Sequence, residues 1–273
     1  MTLVHFLIGI VAILLALSLV MTLAWLIEQR SGNAGWIDTV WTFGLGTVGI
    51  ASALIALPSE TSLTQRQALV AGLVLLWSLR LGIHIASRSA GRTDDPRYAK
   101  LRQQWGDRAS AQMWILLQKQ ALVSLPLGLA IWLAAHQPGA GLRVQDYLAV
   151  LILAVAIGGE AVADRQLRRF LQDHAQDRNA VCDAGLWSWS RHPNYFFEWF
   201  GWLAYALIAI DVGGAYPFGW FALAGPACMY WLLVYVSGIP PLEAHMVRTR
   251  GDAFRAYRAR TSAFFPLPPR IKA

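Results

Sequence analysis

The residues that could do chemistry gather in a few places along the chain. From Gly185 to Glu198 it reads Gly-Leu-Trp-Ser-Trp-Ser-Arg-His-Pro-Asn-Tyr-Phe-Phe-Glu. Pro193 suits the first turn of a helix, where its missing N–H would have no partner in any case. The free amides of that turn, flanked by Arg191 and His192, form a ready anion site. Asn194 and Glu198 lie one turn apart on the following helix and can offer paired hydrogen bonds to a carboxamide or a ribose. Upstream, Glu160, Asp164 and Arg168 recur at four-residue spacing and share one helix stripe, with Arg169 beside it. That stripe suits a phosphate-bearing cofactor, with Arg as the phosphate partner. It also reads as a local Asp164–Arg168 pair of small energetic weight.

A second group consists of ionisable residues inside apolar stretches, where they are costly and point to function. Asp38, Arg80, His84, Lys119, Glu160, Asp164 and Glu198 all fall toward one end of their stretches. A channel or transporter would line a path through both leaflets. This pattern instead describes a pocket open on one side with an apolar floor. Singly, each has a plainer reading. Asp38 can be an interfacial residue beside Trp36 and Trp41, Arg80 can snorkel, and His84 can be a hydrogen-bonded structural histidine. The joint clustering carries the functional reading.

The elements that must position these groups follow from composition. Of 273 residues, 56% are hydrophobic and 14% charged, against roughly a quarter charged in soluble domains. Mean hydropathy is +0.42. This excludes a water-soluble globule and predicts an all-α, polytopic membrane protein forming one membrane domain over 1–273. Seven spans are expected, at 3–27, 36–57, 68–87, 114–135, 147–163, 195–210 and 216–237, followed by a cytoplasmic tail over 238–273. With seven spans, only Arg66 and Arg143 of the 23 Lys and Arg fall in the loops of one side. The positive-inside rule then places the N-terminus outside and the C-terminus in the cytoplasm. The first span lacks a basic leader and a small-residue cleavage site and reads as a retained helix. The net charge of +7 is a topology signal, so nucleic acid is not an expected partner. Cys182 and Cys228 have no metal-ligand spacing, and no metal is expected.

The strings together resemble a known group. Asp38-x-x-Trp41, Trp77-x-x-Arg80-Leu81, Asp94-Asp95-Pro96-Arg97-Tyr98, Glu160-x-x-x-Asp164-x-Gln166-Leu167, the Arg-His-Pro-Asn-Tyr string, Gly238-x-Pro240-x-Leu242-Glu243 and Tyr257 followed by Phe265-Pro266 span most of the chain. They resemble the DUF1295 family, described as steroid 5-alpha-reductase-like. That family is related to the membrane sterol reductases and the isoprenylcysteine carboxyl methyltransferases. The resemblance implies a seven-helix fold in the inner (cytoplasmic) membrane that binds NADPH from the cytosol. It implies hydride transfer to a carbon–carbon double bond of a steroid-like or other lipid, commonly one conjugated to a carbonyl, as in a 3-oxo-5-alpha-steroid 4-dehydrogenase.

Carried over by position, Asp164, Arg168, Asn194 and the Tyr257 region would contact the cofactor, with Glu198 supporting Asn194 or the nicotinamide amide. Arg97, Tyr98, Glu160, Arg191, His192, Tyr195, Glu243 and Arg255 complete the expected cofactor set. Asp38 stands roughly where the steroid reductases carry a Glu. Held neutral in a dry pocket, it would donate to the substrate carbonyl. Trp77 stands where those enzymes pair the Glu with a Tyr, and Trp cannot deliver a proton. Arg80 and His84 are the alternative proton sources. Phe197 replaces a usual Gly before the acid and would narrow the cofactor channel. The alternative reading is an S-adenosylmethionine-dependent membrane methyltransferase, which shares the Arg-His-Pro-x-Tyr segment. The expected partners are a hydrophobic small molecule and the lipid bilayer.

Overall fold

The computed structural model describes residues 1–57, 62–90, 94–139, 141–177 and 179–270; the last three residues of the expected tail, 271–273, lie outside these. Among the described residues the regular structure is helical, apart from one isolated parallel bridge between Ser190 and Ser262. Six helical stretches are long and apolar enough to cross a membrane: Leu3–Ser31, Trp36–Leu54, Gln65–Ala90, Arg97–Ala135, Val144–Asp173 and Pro217–Arg260. The expected span at 195–210 is helical too, over Pro193–Ala209. Its 17 residues rise only about 26 Å at 1.5 Å each, short of a hydrocarbon core of about 30 Å. The chain divides into two compact units, Met1–Tyr147 with Tyr205–Gly225, and Leu148–Ala204 with Pro226–Ala273.

In the first unit, α1 (Leu3–Ser31) starts at Thr2, whose hydroxyl accepts from the His5 amide. It ends at Gly32, which adopts the left-handed φ of 67° that favours glycine. Phe6, Ile13, Leu17, Met21, Ala24 and Glu28 form its buried face at helical spacing. Leu3, Leu7, Val11, Leu15, Leu19 and Leu23 are exposed on the other side. An outward row of leucines is the face a bilayer requires. α1 packs on α2 (Trp36–Leu54) and α5 (Ala109–Ala135), and α2 packs on α3 (Gln65–Ala90). The α2–α3 approach depends on small residues, as in other membrane helix pairs. A Cβ on Gly46 would sit 2.4 Å from that of Ser78. The short helix α4 (Pro96–Trp105) is capped by the Asp95 carboxylate, which accepts from the Arg97 amide.

At the start of α3, Arg66 is buried and directs its guanidinium to Asp146 and to the carbonyls of Gln137, Gly139 and Gly141. Asp146 also accepts from the Arg143 amide, while the Arg143 side chain donates to the Ile208 and Ile210 carbonyls. The two basic residues that stand apart from the other 21 are therefore both engaged within the protein.

The second unit is built on α6 (Val144–Asp173), which runs nearly three turns beyond the expected span end at 163. Leu153, Ala156, Glu160 and Ala163 are its buried stripe. α7 (Leu186–Trp189) is a single turn, and the Trp187 indole donates to the Ala163 carbonyl at 3.0 Å. α8 (Pro193–Ala209) lies close to α6. A Cβ on Gly201 would be 3.2 Å from that of Ala156, and one on Gly159 would overlap the Phe197 ring. The bulk of Phe197 is thus taken up in a helix seam by a glycine on α6.

The expected span at 216–237 is three pieces: a 3-10 helix Pro217–Leu223, α9 (Ala224–Trp231) and a π-helical turn Leu232–Val236. The π turn closes when the amides of Ser237 and Gly238 both donate to the Leu232 carbonyl. α10 (Ile239–Arg260) follows, kinked at Gly251.

Candidate functional site

In the first unit the Asp-Asp-Pro-Arg-Tyr string is assembled onto the start of α2. Asp94 accepts the Ala34 amide at 3.0 Å and also takes Arg102. Asp95 caps α4, which turns Arg97 and Tyr98 toward Asp38 in the first turn of α2. The Arg97 guanidinium donates to Asp38 Oδ2 at 2.6 Å and to Asp95 Oδ2 at 2.9 Å. The Tyr98 hydroxyl donates to Asp38 Oδ1 at 3.5 Å, a long bond, and accepts from Gln120 Nε2 at 3.2 Å. Tyr98 is 5% exposed, whereas the Asp38 side chain keeps 36% exposure. Behind this pair, the Trp41 indole donates to Ser124, which donates to the Gln120 carbonyl. Trp77 meets Trp41 edge-on at 6.4 Å. Arg80 and His84 are half-buried one turn apart on α3.

In the second unit three separated strings converge on one carboxylate. Glu243 Oε1 accepts from Arg191 Nε at 2.7 Å and from His192 Nε2 at 3.1 Å, and Oε2 faces Arg258 Nε at 3.3 Å. Arg191 also donates to the carbonyls of Arg258 and Thr261. Its own amide donates to the Ser262 carbonyl. The buried Tyr257 hydroxyl donates to the Trp187 carbonyl at 2.5 Å and to that of Ser190 at 3.4 Å. Burial pushes His192 below its ordinary pKa, against the opposing pull of Glu243. The neutral imidazole carries its proton on Nε2, from which it donates to the carboxylate. Its other face stacks on Tyr195 at 5.4 Å. Arg191, His192, Glu243 and Tyr257 thus form a framework that fixes the entry to α8.

What this framework holds out is Asn194 and Glu198, both half-buried on α8. Asn194 Oδ1 accepts from the Tyr195 amide at 3.1 Å, and Glu198 Oε1 accepts from the Trp202 indole at 2.9 Å. On α6, Glu160 is buried, Asp164 half-buried and Arg168 exposed, a gradation running out along one stripe. Arg255 is a surface residue paired with Asp252 at 2.6 Å. At these partly open positions Asn194 and Arg168 can donate hydrogen bonds, and Asp164 and Glu198 can accept them. Among the described residues no group of three or more His, Cys, Asp and Glu could hold a metal ion.

A family model described as a protein of unknown function, DUF1295, matches residues 24–261. The chain belongs to the DUF1295 family. Every expected site residue from Asp38 to Tyr257 falls inside that match. No curated protein and no solved structure matches the chain. Within this DUF1295 chain, sequence reasoning passed over Gln120 as the partner of Tyr98. It also left the link between Tyr98 and Asp38 unseen, 60 residues apart. Only the compactness of the Asp-Asp-Pro-Arg-Tyr string signalled that this loop folds onto something.

Proposed function

We propose that this protein is an NADPH-dependent membrane reductase acting on a carbon–carbon double bond of a hydrophobic substrate, commonly an enone. In this reading it is a seven-span protein of the cytoplasmic membrane, N-terminus outside, with α8 as the short span. The distribution of Lys and Arg supports that topology. The two exceptions, Arg66 and Arg143, are spent on internal contacts. Asp164, Arg168, Asn194 and Glu198 would hold the cofactor. When bound, the nicotinamide supplies a hydride to the beta carbon of the substrate.

The observation that carries the reading is the buried Tyr98 phenol directed at Asp38 and held by Gln120. Reduction of an enone requires a proton at the alpha carbon, and methyl transfer requires no such donor. Asp38 is an acceptor here, taking hydrogen bonds from Arg97 and Tyr98, so the donor role passes to the tyrosine. Tyr98 gives its proton, and the Gln120 amide supports the phenolate left behind. Arg97, 5.4 Å from the ring, balances the Asp38 charge.

The test is thermal stabilisation of the detergent-purified chain by NADPH, NADP, NADH and S-adenosylmethionine in parallel. A ligand at 100 times its Kd adds about 2.7 kcal/mol. A shift with NADPH that is weakened by Asn194→Ala or Glu198→Ala supports the assignment. A shift with S-adenosylmethionine alone overturns it in favour of the methyltransferase. Tyr98→Phe should keep the NADPH shift and lower enone reduction by about 10²-fold or more. Full turnover in that variant removes Tyr98 as the acid.

A further inference from the structure

The segment after α10 folds back on the second unit. The Leu267 amide donates to the Trp189 carbonyl at 3.0 Å and the Arg270 amide to the Arg260 carbonyl at 2.8 Å. The loop closed in this way forms one wall of a partly open cavity of about 260 Å³, lined also by Arg191, Arg258, Arg260, Thr261, Ser262 and Arg270. Four guanidiniums face two carboxylates, Glu243 on Arg191 and Arg258, and Asp183 on Arg260. Among the described residues, two positive charges remain. The carbonyls at the end of α10 would repel an anion. Arg191 already occupies those of Arg258 and Thr261, which leaves the charge balance to the outer arginines. Arg258 and Arg260 keep 48% and 43% side-chain exposure, so their free donors can turn to a ligand.

We propose that this cavity is a binding site for a phosphate monoester, a dianion that matches its residual charge and can be forked by planar guanidiniums. Such a group can come from two sources, the ribose phosphate that distinguishes NADPH from NADH, or the headgroup of a phosphatidic acid. The nucleotide source rests on the cofactor reading above, whereas the site itself does not. Arg260 and Arg270 are surface residues at the rim, and the family match ends at residue 261. The pocket is therefore completed by residues beyond that match.

The experiment measures binding of NADPH, NADH, adenosine 2′-phosphate and short-chain phosphatidic acid to the full-length chain in detergent. Wild type is compared with the Arg260→Ala/Arg270→Ala double variant. Tighter binding of NADPH than NADH, with the preference reduced about tenfold or more in the variant, supports the site and its nucleotide source. Binding of phosphatidic acid but of neither dinucleotide, lost in the variant, supports the site and overturns the cofactor reading. An NADPH preference unchanged in the variant overturns the site and leaves the cofactor reading standing. Equal responses of both proteins to all four probes overturn it as well. An unchanged unliganded melting temperature shows that the variant is folded.

Discussion

Two of the Arg–Asp pairs in the first unit have opposite character. Arg66 and Asp146 are 2% and 0% exposed, and Arg66 places all five of its N–H groups on acceptors. Arg97 and Asp38 are 55% and 36% exposed, and a buried phenol leans on the same carboxylate. The chemistry of the two pairs is alike and their surroundings decide their use. A saturated buried pair has nothing left to offer a ligand and serves to pin a loop to a helix. An open pair contributes little to stability and keeps its capacity for binding and proton transfer. The Glu243 carboxylate of the second unit sides with the first kind, since it is already shared among Arg191, His192 and Arg258, whereas Arg258 itself stays 48% exposed.

The largest effect expected from this contrast comes from Asp146→Ala. Removing one partner of a fully buried pair strands a charge and should destabilise the fold by about 3–5 kcal/mol. A melting temperature within a degree or two of wild type would show that Arg66 finds other acceptors. Glu243→Gln is next, because Arg191 and His192 lose a charged acceptor. The expected loss is about 2 kcal/mol, read in thermal or denaturant unfolding.

Titration sharpens the same point. His192 in the folded chain binds its proton less readily than in the unfolded chain, so below about pH 6.5 the unfolded state gains protons first. Stability from this residue is complete above that pH and is lost as pH falls toward the folded value. Melting curves from pH 8 to pH 5 should show the decline, and His192→Gln should remove that component. The smallest stability effect belongs to Asp38→Asn, at most about 1 kcal/mol for so exposed a pair. If Asp38→Asn destabilises the protein as much as Asp146→Ala does, the distinction between the two pairs fails.

Much of the helical framework was legible because membrane helices announce themselves through apolar runs. The span expected at 114–135 ends where α5 ends, and the one at 3–27 lies within α1. Helices that outlast their apolar runs were not legible. α6 continues to Asp173 because helical hydrogen bonding does not require an apolar run, and that extension carries Asp164 and Arg168. The span at 216–237 hid a change of helix type at Leu232–Val236, where two amides share one carbonyl. Such a choice is made by geometry and leaves no periodicity to read.

In the site, the Arg191–His192 and Glu243 strings were singled out separately. Their meeting, 51 and 52 residues apart, follows only from tertiary packing. Tyr98 was grouped with the cofactor residues on the strength of its string. The fold of α4 also sets it against Asp38, a relation that sequence spacing cannot encode.

The Arg66–Asp146 pair also has a history within each molecule. Eighty residues separate the two side chains. At about 5–20 residues per second, a ribosome needs roughly 4–16 s to travel from one codon to the other. Throughout that interval the arginine at the head of α3 has been made and its carboxylate has not. The charged end of the α2–α3 pair therefore has no carboxylate partner at residue 146 until the start of α6 is made. A nascent chain released before residue 146 would lack the carboxylate that neutralises the Arg66 guanidinium in the full-length protein.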